Sequence, residues 1–243
     1  MSYLAGLRRD LGPIPGAGLD LLLIAATAAA ALVAGQYHAG PLAGRLLAGL
    51  HRLEGVDPVL VSGWLQLTVK LCRAVLLVIP PAAVMLLLRI PPRDLGIGSG
   101  RPGTWLRDAA ILYVVMLPFI WWAARQPGFR QVYPYFSISR LGAGWFAVGL
   151  ATRLVYMFAW EFLFRGYLLF GFERRVGPAG AVAASTIPFV LMHFGKPAAE
   201  TYSSIAAGIA LGVVALRGRS FIPAALLHFA VAATLDVAAV AVA

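Results

Sequence analysis

Glu161 and Arg165 stand four positions apart in the segment WEFLFRG, the spacing that sets two side chains one above the other on a helix face. An arginine so placed keeps a carboxylate ionised in apolar surroundings, because its charge opposes the rise in pKa that burial causes. The pair is therefore either a structural ion pair or an arginine-held general base for activating water. His193 closes the run IPFVLMH with Phe189 one turn before it, and His228 follows Pro223 in IPAALLHFAVAATLD. A lone histidine in an apolar helix is most often a hydrogen-bonded packing residue or a proton relay. Two of them on separate helices, in a chain with 4 histidines, also suit zinc, whose catalytic form takes three protein ligands and leaves one position for water. Asp236 follows His228 by two helical turns and about 80° of rotation, so both can face one cavity across the small Ala232. The candidate metal ligands are thus His193, His228 and Asp236. Glu200 comes shortly after Lys196 and Pro197, where a carboxylate is commonly an ordinary first-turn charge favoured by the helix dipole.

These residues are scarce in their surroundings. The 243-residue chain is 60% hydrophobic and only 12% charged, with a mean hydropathy of +0.82, against about 25% charged residues in soluble domains. The net charge of +10 does not point to nucleic acid, since the basic residues sit singly or in pairs at the ends of apolar runs, as cytoplasmic loops and anionic lipid headgroups require. Cys72, the single cysteine, excludes an intramolecular disulfide and a cysteine-ligated zinc site. The predicted architecture is all-α, a polytopic bundle of about seven transmembrane helices near 19–36, 71–89, 108–124, 143–172, 179–194, 200–216 and 221–241. The fourth run is too long for a simple span and carries Arg153 as well as Glu161 and Arg165. Arg8 and Arg9 ahead of the first run resemble a signal peptide, but the run outlasts an ordinary h-region and is predicted to be a retained span.

Basic residues at Arg8, Arg9, Arg89, Arg93, Arg217 and Arg219 favour a multi-pass cell-membrane protein with a cytoplasmic N-terminus. The Pro-, Gly- and Arg-rich segment 90–107 reads as a cytoplasmic connector at the interface, and 125–141 as an aromatic loop on the other surface. Gly208 and Gly212 form a GxxxG whose expected role is close packing against a neighbouring helix. An ionisable residue at membrane depth costs several kcal/mol unless paired or hydrated, so the polar residues of the last four runs mark the functional region.

Those residues carry a resemblance to a known family, the CPBP intramembrane proteases, which include CAAX prenyl endopeptidases and bacteriocin-processing or immunity proteins of bacteria. The family shows EExxxR, FxxxH and HxxxN or HxxxD on successive membrane helices. Here Trp160, Glu161 and Arg165, then Phe189 and His193, then His228 and Ala232 follow in the same order and spacing. The resemblance spans residues 143–241, which divides one membrane domain into N-terminal helices and connector, 1–142, and protease-like helices, 143–241. It departs at Trp160, where the family has its first glutamate, the water-activating base by resemblance, and at Ala232, where it has Asn or Asp. A rearranged site would use Glu161 as the base, oriented by Arg165, or Glu200 in its stead, with Asp236 replacing the missing polar ligand. The implied protein is a zinc-dependent endopeptidase cutting a membrane-associated protein or peptide in or at the edge of the lipid bilayer; nothing in the residues points to prenylated substrates. The same departures suit a catalytically inactive scaffold or immunity-type protein. Two histidines on different helices also suit axial ligation of haem, and the polar residues suit a small transporter, against which stand the short chain, the absent repeat and the motif order.

Overall fold

A computed structural model of the chain describes residues 16–48 and 57–242, and all its described elements are helical. Helix α1 is Gly16–Tyr37, α2 Ala39–Leu46, α3 Pro58–Leu87, α4 Pro102–Ala124, α5 Ala143–Glu161, α6 Gly171–Leu191, α7 Ala198–Gly218 and α8 Ile222–Ala241. A π-helical stretch, Phe162–Phe170, joins α5 to α6 without interruption. Six of the described helices, counting Ala143–Leu191 as one, are long and apolar enough to cross a membrane. That longest run leaves helical geometry at Gly177 (φ 73°, ψ 171°), which splits it into two legs. The expected spans 143–172 and 179–194 are these legs. Arg8 and Arg9 lie outside the described residues.

Helix starts follow from local chemistry. Asp57 caps α3 by accepting the Val59 N–H at 2.8 Å, with Pro58 at the first turn, where its missing N–H has no helical partner to lose. The second span thus starts earlier than residue 71, and Lys70 and Arg73 sit inside it. Pro102 and Pro223 open α4 and α8 in the same way. Arg219 ends α7 in the left-handed conformation (φ 53°).

The 90–101 connector docks against the α7–α8 turn. The Arg101 N–H donates to Gly218 O at 2.7 Å, Phe221 N–H to Gly96 O at 3.2 Å, and the Ser220 hydroxyl to Gly98 O. Gly100 (φ 57°) lies so close that a Cβ would stand 2.1 Å from Gly218 O. Ion pairs Arg174–Asp94, Arg175–Asp20, Arg217–Asp108 and Arg219–Glu173 gather at this same end of the bundle. The opposite end holds the aromatic segment 125–142, strapped down by Ser137 N–H to Gln66 Oε1 at 3.0 Å and by Ile138, which fills the space a Cβ at Gly63 would need.

α3 packs on α1 and α5, α8 on α4 and α5, and α6 on α7. The last contact uses the GxxxG as expected: a Cβ at Gly208 would meet Thr186 at 2.7 Å and one at Gly212 would meet Val182 at 3.2 Å. The core is densest around Phe162–Phe170, every residue of which is buried. The periphery carries large exposed apolar side chains, Ile79, Leu86, Leu106, Phe119 and Trp122 among them. Such a surface is unfavourable in water and suited to lipid.

Candidate active site

Glu161 is the last residue of α5 and Arg165 lies in the π-helical stretch, both fully enclosed (0% exposed). Short π-helical insertions often occur at functional sites, since the widened turn re-aims side chains. Arg165 Nη1 stands 3.0 Å from Glu161 Oε2, its Nη2 donates to Gly208 O at 3.1 Å, and the guanidinium lies 4.1 Å from the Phe189 ring centre. The charge contact is close but poorly aligned, so Glu161 Oε2 and Arg165 Nε and Nη1 have no aligned hydrogen-bond partner among the described residues. The helix spacing therefore delivers the pair read from the sequence.

The other Glu161 oxygen, Oε1, lies 2.6 Å from His228 Nδ1 on α8. A carboxylate can only accept, so Nδ1 carries the proton, and it is in the neutral ring that His228 Nε2 presents a lone pair. His193, in the turn after α6, repeats the arrangement with Nδ1 2.7 Å from Phe189 O, which leaves its Nε2 with a lone pair as well. The two imidazoles are nearly parallel, with ring centres 6.5 Å apart, and Phe189 touches both. His193 is 5% exposed, and burial, followed by the charge of Lys196, holds its pKa down at about 4, so the ring is neutral at ordinary pH. Trp160, in the place of the family's first glutamate, sets its ring 6.2 Å from that of His193; its buried Nε1–H has no acceptor among the described residues.

Glu161, Arg165, His193 and His228 are thus brought into one cluster. Asp236 is engaged elsewhere. One of its oxygens pairs with Arg153 and the other accepts the Tyr135 N–H at 2.8 Å, so it clamps the aromatic segment to α5 and α8. Glu200 is likewise engaged by Lys196 and by the Tyr133 hydroxyl at 2.8 Å. Among the described residues no three His, Cys, Asp or Glu side chains converge to hold a metal. The donor set at the cluster is two imidazole Nε2 atoms, one fewer than a catalytic zinc takes from protein, so these residues do not complete such a site.

Sequence reasoning noted Arg153 inside the fourth run but gave no role in this polar interior to it or to Lys70, Tyr133 and Tyr135. The signal available was the lysine and arginine within apolar runs, masked for Lys70 by a span placed too late.

Residues 142–234 match the family model described as Type II CAAX prenyl endopeptidase Rce1-like. The match takes in Trp160, Glu161, Arg165, His193 and His228 and stops short of Asp236. No curated protein and no solved structure matches the chain. The matched stretch is consistent with the CAAX protease family and is set in a polytopic helical bundle.

Proposed function

We propose that the chain hydrolyses a peptide bond of a membrane-associated protein or peptide, with His228 as general base and Glu161 as the residue that orients it. The observation that carries this reading is the 2.6 Å contact between His228 Nδ1 and Glu161 Oε1. Glu161 is shut off from solvent, whereas the His228 side chain is 17% exposed. Water therefore meets the imidazole, not the carboxylate. His228 Nε2 takes a proton from water as that water attacks the scissile carbonyl, and Glu161 holds the tautomer and stabilises the imidazolium, as the aspartate does in a Ser-His-Asp triad. The proton then passes from Nε2 to the leaving amine. Arg165 keeps Glu161 anionic.

A second reading is supported by the hydrogen bonds at both Nδ1 atoms, which fix ring orientation as the outer-shell partners of metal-bound histidines do. Zinc held by His193 and His228 would lower the pKa of a bound water and polarise the carbonyl. The hydrolysis described above has no step that needs it.

The membrane orientation that fits the basic end formed by 90–101, 174–175 and 217–219 places that end in the cytoplasm. The deciding experiment is incubation of the full chain in liposomes with a library of apolar peptides, with fragments read by mass spectrometry. Fragments that form with the wild type and not with His228→Ala support the hydrolase. Fragments from neither support a non-catalytic scaffold.

A further inference from the structure

Among the described residues one cation in the layer outward of Glu161 is left unmatched. Lys70 projects from the middle of α3, and its Nζ lies 4.6 Å from the ring centres of both Tyr135 and Tyr156. Among the described residues it makes no ion pair and no hydrogen bond. The other cations nearby are committed: Arg153 to Asp236, Lys196 to Glu200, Arg73 to Gly35 O at 2.9 Å and to Gln36, and Arg140 to Tyr133 O at 3.0 Å. Arg153 shares the Tyr135 ring with Lys70, at 4.9 Å, so two basic side chains border one aromatic ring and, among the described residues, only Arg153 has a carboxylate. An ammonium at membrane depth with no counter-charge is strongly unfavourable. An anion beside Lys70 would offset that cost.

We propose that Lys70, walled by Tyr135 and Tyr156, is a subsite for a carboxylate of the polypeptide substrate; the identification as substrate rests on the peptide hydrolysis proposed above. Charge matching favours a monoanion, because a phosphate dianion would need a second uncommitted cation. The site adjoins the imidazole pair through touching rings, Tyr156 to Trp160 at 5.6 Å and Trp160 to His193 at 6.2 Å. That distance is covered by a few residues of extended chain, at about 3.3 Å each. Lys70 thus fixes how far along the chain the cut falls, without touching the reacting atoms.

The test uses the full chain in nanodiscs, with N-acetyl-leucine, N-acetyl-leucinamide and inorganic phosphate as probes and the thermal midpoint as a readout independent of cleavage. N-acetyl-leucine is expected to raise the midpoint and the amide to leave it unchanged. Lys70→Met, which removes an unmatched charge and so folds at least as well, is expected to abolish the difference; Lys70→Arg is expected to retain it. In the cleavage assay, replacing a peptide's terminal carboxylate by amide is expected to raise KM about 10-fold with kcat unchanged in the wild type, the factor of one charge-assisted hydrogen bond, and to change nothing in Lys70→Met. Equal midpoints with acid and amide overturn the subsite, as does an acid preference that persists in Lys70→Met. Stabilisation by phosphate equal to that by N-acetyl-leucine overturns the carboxylate assignment. An acid preference in binding with no peptide cleaved sustains the subsite and refutes the hydrolase reading alone.

Discussion

His228 Nδ1 and Glu161 Oε1 meet at 2.6 Å although 67 residues separate them in sequence, and the contact ties α8 to the end of α5. Because Glu161 also faces Arg165, one carboxylate serves as orienting group on one oxygen and counter-ion on the other.

Glu161→Gln is therefore expected to lower cleavage about 10²- to 10⁴-fold and also to destabilise the protein, since it leaves the Arg165 charge enclosed and unmatched, at a cost of about 3–5 kcal/mol. Thermal unfolding and cleavage separate the two effects. The double variant Glu161→Gln, Arg165→Met is expected to regain much of the stability and none of the activity. Recovery of cleavage in that double variant would remove Glu161 from the chemistry.

Metal analysis of the purified chain is expected to return well below one zinc per chain, and chelation is expected to leave cleavage intact, because two imidazoles fall short of the three protein ligands that a catalytic zinc takes. One zinc per chain, lost in His228→Ala, would establish the metal reading instead.

Acid should destabilise the fold through His193. Its folded pKa of about 4 lies below the ordinary 6.5, so below pH 6.5 the unfolded chain takes up a proton that the folded one refuses. Stability should be level with respect to this group above pH 6.5 and should fall as the pH drops toward 4. His193→Gln should remove that part of the decline in a series of unfolding curves. An unchanged acid slope in the variant would mean that other groups govern it.

Gly100→Ala should cost at least about 1–3 kcal/mol for the left-handed backbone alone, with the 2.1 Å approach to Gly218 O added. The control is Gly103→Ala in α4, where nothing lies within 4 Å, and which should leave the unfolding midpoint near the wild type. Equal midpoints would mean that the connector does not dock as described.

The helices were legible because apolar runs of membrane length are dictated by the bilayer itself, and Glu161 with Arg165 because helical spacing alone makes that pair. The clustering of Glu161 with His228 was not: His228 was read for its lone pair as a ligand, and no sequence pattern shows which carboxylate faces which imidazole across 67 residues. Asp236 shows the reverse. Its helical phase suited a place beside His228, yet Arg153 and the Tyr135 N–H claim its oxygens, and a loop's backbone donor leaves no mark in sequence. Lys70 fell at the edge of the expected second span, whose apolar signal is diluted by Gln66 and Thr68 where α3 in fact continues, and so it drew no role.

The break at Gly177 bears on the lipid as much as on the chain. From Pro178 to Leu191 the second leg reaches at most about 21 Å at 1.5 Å per residue, against the roughly 30 Å of a bilayer's hydrocarbon core. A leg that begins at one surface leaves His193, just beyond its end, short of the other. A membrane around such a leg is expected to thin or admit water there, and hydrolysis consumes water. Turnover should thus follow acyl-chain length: fastest in thin bilayers, where the aqueous phase dips to the imidazoles, and slower with each added pair of methylenes, at constant protein and substrate.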